Sequence, residues 1–237
     1  MVPRHIRIPP VGLPGTLRLP DLPRSLVVFV QGSGSSRFEP RNMALAEGLC
    51  RHGLATLLLD LLTFEEERNQ ANLFSIPLLA ARLIGTIRWV ESQPDLAALP
   101  LGLFATGTGA AAAMVAAASQ RQIRAIVTYE GRPDLAKETI DDVWVPTLLI
   151  VGDHQDRLIA HNRRVHARLK GPKAVKTIAT ARYQFAEPDT TAAVVDQATR
   201  WFGRHLGHGR LQDMGVAHLQ GGPGEPGRNA GPRAEDR

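Results

Sequence analysis

The 237-residue chain has a single cysteine, Cys50, so no disulfide can form within it. Cys50 falls in an apolar helical pattern, where a thiol behaves as a small core hydrophobe. Aromatic residues make up 5% of the sequence, and no stripe interleaves them with basic residues, as single-strand nucleic-acid binders do. The net charge of +5 comes mainly from arginines spread along the chain. Such scattered charge reads as a solvated surface, and neither a nucleic-acid partner nor a membrane is expected. No apolar run approaches the ~18 residues of a membrane-spanning helix. The N-terminal stretch is interrupted by prolines and lacks the apolar core of a signal peptide, so a cytoplasmic location is expected.

What is present is an alternation of short apolar runs with amphipathic stretches. Hydrophobic residues at 43% and charged residues at 22% are ordinary globular values, and one full-core domain is expected at this length. Leu26–Val30 is a continuous β-branched and aromatic run, as in strands buried on both faces of a parallel sheet. Ala55–Leu62, Leu101–Ala105, Ala125–Tyr129, Thr147–Val151 and Ala174–Ile178 read as further strands. Pro40–His52, Phe74–Ser92, Ala110–Ala118, Leu158–Leu169 and Thr190–Leu206 read as helices, with a short one near Asp134–Asp141. His5–Pro9 and Thr16–Pro20, flanked by prolines, read as edge strands, and Thr63–Gln70 as a charged connector. This alternation implies an α/β fold, a mainly parallel central sheet with helices on both faces. Gly221–Arg237 is dense in glycine, proline and charge, so a domain over 1–206 and a disordered tail over 207–237 are expected.

Two loops break the pattern with small residues. Gln31–Ser36 follows the first buried strand, yet it lacks both the Gly-Lys-Ser/Thr ending of a phosphate loop and the third glycine of a dinucleotide fingerprint. Thr106-Gly107-Thr108-Gly109 joins a buried strand to a run of alanines. That is the strand–turn–helix setting of a nucleophile elbow, small-x-nucleophile-x-small, with Ala105 and Gly109 as the small residues. The nucleophile position is then Gly107, which has no side chain. Glycine adopts the positive φ of an elbow freely and the β-branched Thr106 and Thr108 do not, so the turn reads as kept and the nucleophile as lost.

Taken together, these stretches resemble the dienelactone-hydrolase-like branch of the α/β-hydrolase family. The resemblance runs from Ile6 to about Leu206 and is carried by 29–42 (FVQGSGSSRFEPRN), 55–67 (ATLLLDLLTFEEE), the elbow, 131–136 (GRPDLA), 147–152 (TLLIVG) and 185–188 (FAEP). It implies an α/β-hydrolase fold and, for an active member, an elbow serine, a histidine that takes its proton and a carboxylate that orients the histidine. Carried over residue by residue, the serine falls on Gly107, the carboxylate on Gln155 and the histidine on Tyr183. None keeps its chemistry: glycine offers no nucleophile, Gln155 cannot ionise, and a tyrosine of pKa ~10 is a poor base at neutral pH. The resemblance also leads one to expect histidine at position 31, where this chain has Gln31. The family's oxyanion hole uses two backbone N–H groups, which correspond to Ser33 and Thr108 and survive side-chain loss. Gly32 belongs to the same expected pocket, as does Asp156, which a one-residue loop adjustment would bring to the carboxylate position.

Asp60 reads as hydrogen-bonded to backbone at a strand end. Asp153, His154, Asp156, His161 and His166 lack a recognisable metal spacing, and neither a metal nor a cofactor is expected. Two functional readings remain. In one the protein is a catalytically silent hydrolase fold that binds a small molecule or regulates; in the other it hydrolyses small esters or lactones with displaced residues, such as a hydroxyl of Ser33, Ser35 or Ser36 with His154 or Asp156. Three substitutions at once favour the first.

Overall fold

A computed structural model describes residues 2–32, 35–179 and 188–207. The chain divides into a compact unit, Met1–Gly207, and a second unit, His208–Arg237, which lies outside the described residues.

The first unit is built on an eight-stranded sheet of order β1-β2-β4-β3-β5-β6-β7-β8. Its strands are β1 Arg4–Ile8, β2 Leu13–Arg18, β3 Ser25–Val30, β4 Leu54–Leu59, β5 Leu101–Gly107, β6 Ile123–Gly131, β7 Thr147–Gly152 and β8 Lys173–Ile178. β1 and β2 pair antiparallel, β2 meets β4 antiparallel, and from β4 to β8 every pairing is parallel. The mainly parallel sheet read from the sequence is therefore present. One expectation fails: β2 is no edge strand, because it is paired on both sides. Its Pro14 lies near the strand start, where a missing N–H is tolerated, while the Pro14 carbonyl accepts from Asp60 N at 3.2 Å.

Residue alternation along β3 accounts for the two layers. Leu26, Val28 and Val30 point into a core shared with α4 (Ile76–Glu91), α5 (Gly109–Ser119) and Val165 of α6 (Asp156–Arg168). Val27 and Phe29 point to the opposite face, against α1 (Pro40–Arg51) and α7 (Pro188–Leu206). Both faces are covered, which is why β3 is apolar at nearly every position. Seven of the eleven residues of α5 are alanine, and these small side chains let it lie close against the sheet, with eight of its residues buried.

The connector Thr63–Gln70 contains helix. Thr63 accepts from Glu66 N while the Glu66 carboxylate accepts from Thr63 N, a capping box that starts the short α2, Phe64–Glu67. A second short helix, α3, spans Gln70–Leu73. Cys50 is buried, as its pattern implied.

β3 lies between β4 and β5, so the chain reverses its direction of winding there. In open α/β sheets such a point leaves a crevice beyond the carboxyl ends of the strands, and ligands bind in it. Here the crevice is bounded by the loops after β3 and β5, the two small-residue loops of the sequence.

Candidate functional site

The turn after β5 is tight. Gly107 has φ +52°, in the left-handed region, and Thr108 returns to helical angles and leads into α5. Opposite stands Gly32. A Cβ on Gly32 would lie 2.8 Å from both Gly107 Cα and Thr108 N, so glycine is required by the close approach of two backbones. A Cβ on Gly107 would meet Gly32 Cα at 3.2 Å, a tight contact that calls for a small shift.

Beside this contact lies a cleft of about 250 Å³. The first turn of α1 supplies one wall. Pro40 occupies the first helical position, where its fixed φ suits a helix start, and Glu39, Arg41 and Asn42 around it face the cleft. Asn42 is 3% exposed, and its Nδ2 donates to Gln31 Oε1 at 3.1 Å and to Ser35 Oγ at 2.8 Å. Ser35 Oγ in turn donates to Glu39 Oε2.

The other wall comes from β5 and β6. Register shifts between Thr106 and Gly107: Thr106 faces Tyr129, but Gly107 faces Gly131. Glu130 is the extra residue of this bulge, and it has φ +49°, which is uncommon for a residue with a Cβ. Its carboxylate is held from two sides. Arg41 Nη2 donates to Oε2 at 2.6 Å, and Gln155 Nε2 donates to Oε1 at 2.8 Å. The Arg41 guanidinium also lies 4.2 Å from the centroid of the Tyr129 ring. Burial opposes its charge, but the charge and hydrogen bond of Glu130 outweigh that and hold Arg41 above the usual arginine value. Burial pushes the Tyr129 phenol up, against the pull of Arg41.

The residues read from the sequence fall as follows. Gly107 and Gly32 line the cleft, and Thr108 is buried at the start of α5. Gln31 is buried behind it, accepting from Asn42 while its own Nε2 has no partner among the described residues. Gln155 reaches the cleft through Glu130. Ser33 and Tyr183 lie outside the described residues. Asp156 is exposed at the first residue of α6 and does not line the cleft. Asp153 and His154 pair with each other at 3.6 Å. His161 Nδ1 lies 3.3 Å from Asp134 Oδ2 without hydrogen-bond geometry, and Arg132 grips that aspartate with two bonds of 2.9 Å. Among the described residues no group of three or more His, Cys, Asp or Glu is placed to hold a metal. Asp60 accepts from Arg37 N at 2.9 Å and pairs with the Arg37 guanidinium.

Sequence reasoning missed Glu130, Tyr129, Arg41, Glu39 and Asn42 as a cluster. The signal available was a glutamate directly after the apolar run Ala125–Tyr129, where a charge at a strand's carboxyl end faces the ligand crevice.

The order of strands, the crevice and the glycine elbow define an α/β-hydrolase fold, and solved structures agree. Est1E from Butyrivibrio proteoclasticus shares the fold at a TM-score of 0.67 and 15% identity, over 85% of this chain and 99% of its own. A dienelactone hydrolase from Anabaena variabilis ATCC 29413 is far nearer, with a TM-score of 0.80 and 41% identity over 86% of this chain and 99% of that one. The chain therefore belongs to the dienelactone hydrolase family. A protein of Mycobacterium tuberculosis provisionally named a phosphoribosyl transferase is 48% identical over 198 residues, 83% of this chain and 45% of that protein. The chain thus spans less than half the length of the curated relatives it matches. No family model matches it.

Proposed function

We propose that this protein binds a small molecule in the Gly107 cleft and does not hydrolyse it. The observation that carries this reading is the elbow, which keeps its left-handed turn at Gly107 yet presents no hydroxyl, thiol or carboxylate there. The neighbourhood of Gln155 supports it. In an active relative that position would accept a hydrogen bond from the catalytic histidine; here an amide N–H donates to Glu130 instead. Glu130 is itself engaged, since its two carboxylate oxygens accept from Arg41 and from Gln155. The transferase name belongs to Mycobacterium tuberculosis proteins of which the chain spans 45%.

One observation favours the hydrolytic alternative: Ser35 Oγ is bonded to the Glu39 carboxylate inside the cleft. A single experiment separates the two. Incubation with a fluorophosphonate probe and activated short-chain esters is expected to give no stoichiometric label and no turnover above buffer. A labelled Ser35, or clear ester turnover, would replace the binding reading with a hydrolase using a displaced nucleophile.

A further inference from the structure

The lining of the Gly107 cleft restricts its ligand. Small-molecule pockets are mostly apolar, with a few polar groups that fix orientation. Among the described residues, the apolar side chain that lines this one is Tyr129, and the Arg41 guanidinium lies over its ring. At about 250 Å³ the cleft falls below the ~300–1,000 Å³ range of drug-sized sites. An acyl chain would find little to pack against.

Charge excludes a second class. Among the described residues that line the cleft, two are carboxylates, Glu39 and Glu130, and one is a guanidinium, Arg41, so an added carboxylate or phosphate meets an excess of negative charge. Hydrogen-bonding capacity excludes a third. Among the described residues each Glu130 oxygen takes one bond, from Arg41 or Gln155, and a carboxylate oxygen can accept about two. Among the described residues Arg41 donates to Glu130 and also interacts with Tyr129, and a guanidinium carries five N–H groups. Thr106 lines the same space. A ligand here must donate and accept at adjacent atoms, since a polar group buried without a partner costs free energy. An ammonium only donates, and an ester or lactone only accepts. A hydroxyl does both.

We propose that the cleft is a binding site for a small neutral polyol, a monosaccharide or cyclitol, with neighbouring hydroxyls shared between Glu130 and Arg41. The ligand class rests on the non-hydrolytic reading above.

The test is calorimetric titration of the full-length protein with D-ribose and myo-inositol, beside butyrate, γ-butyrolactone and ethylammonium as probes of similar size. At least one polyol is expected to bind tenfold or more tighter than the other three probes. Glu130→Gln and Thr106→Val are each expected to weaken that binding by roughly three- to tenfold, the usual effect of losing one hydrogen bond. Thr106→Val keeps its shape and leaves the ion pair intact, so it remains informative if Glu130→Gln does not fold. A preference for butyrate, lactone or ammonium, the binding of no probe, or polyol binding unchanged in Thr106→Val would each overturn the proposal. Ring opening of the lactone during titration would instead remove the non-hydrolytic reading, whatever the order of affinities.

Discussion

At Gly107 backbone angle and side-chain chemistry are coupled. A non-glycine residue held in the left-handed region costs ~1–2 kcal/mol, and the Cβ would also press on Gly32 Cα at 3.2 Å. Gly107→Ser is therefore expected to lose about that much stability in a denaturant titration, and to gain no measurable esterase activity without a base to take the serine proton. A variant as stable as the parent would show that the turn relaxes without strain. Restoring the acid position is harder than the sequence alone implies. Gln155→Asp replaces the amide that donates to Glu130 at 2.8 Å with a shorter carboxylate pointing toward it, so two like charges would lie close together. One of the pair is then protonated well above the usual carboxylate range. The penalty is full at neutral pH and is relieved as pH falls through that raised value. Adding Glu130→Gln should recover most of the lost melting temperature at pH 7 and little of it at pH 4. Equal recovery at both would show that the two side chains do not interact.

Among the elements, the short helix α2 is tied down by one carboxylate. Glu66 accepts from Thr63 N at 2.9 Å and pairs with Arg82 of α4. Burial alone would raise its pKa, but the backbone bond of Thr63 and the bond and charge of Arg82 outweigh burial and lower it. Because the folded value lies below the ordinary 4.5, this stabilisation is present at neutral pH and is lost as pH falls from about 4.5 through the lowered value. Glu66→Gln should reduce stability at pH 7 and cost progressively less as the pH is lowered below about 4.5, measured as denaturant midpoints across that range. A cost that does not change with pH would mean that packing, and not the charge, fixes α2.

For the whole molecule, the core formed by the described residues lies within Met1–Gly207, where both faces of the sheet are covered. The composition after His208 offers little apolar surface to offset the entropy of ordering. Truncation after Gly207 is expected to leave the melting temperature within a degree or two. A loss of even ~1 kcal/mol would lower it by about 2–4 °C at this size, so a larger drop would show that the tail contributes to folding.

The sequence by itself determined the layers and the elbow. Apolar runs such as Leu26–Val30 announce strands buried on both faces, and the small residues from Ala105 to Gly109 allow one kind of turn, because period and steric size are local properties. Gly107 was legible as a glycine at a position that resemblance assigns to a nucleophile. The place of β2 inside the sheet was not, since Pro14 argues for an edge until the strand's ends and partners are known. Nor was the cleft wall. Arg41 and Glu130 are separated by 89 positions, and Glu130 and Gln155 by 25. No periodicity relates them. They meet because a bulge adds one residue to β6 where α1 and α6 begin beside it, and pairing of that kind is set by register and strand order, which only the folded chain fixes.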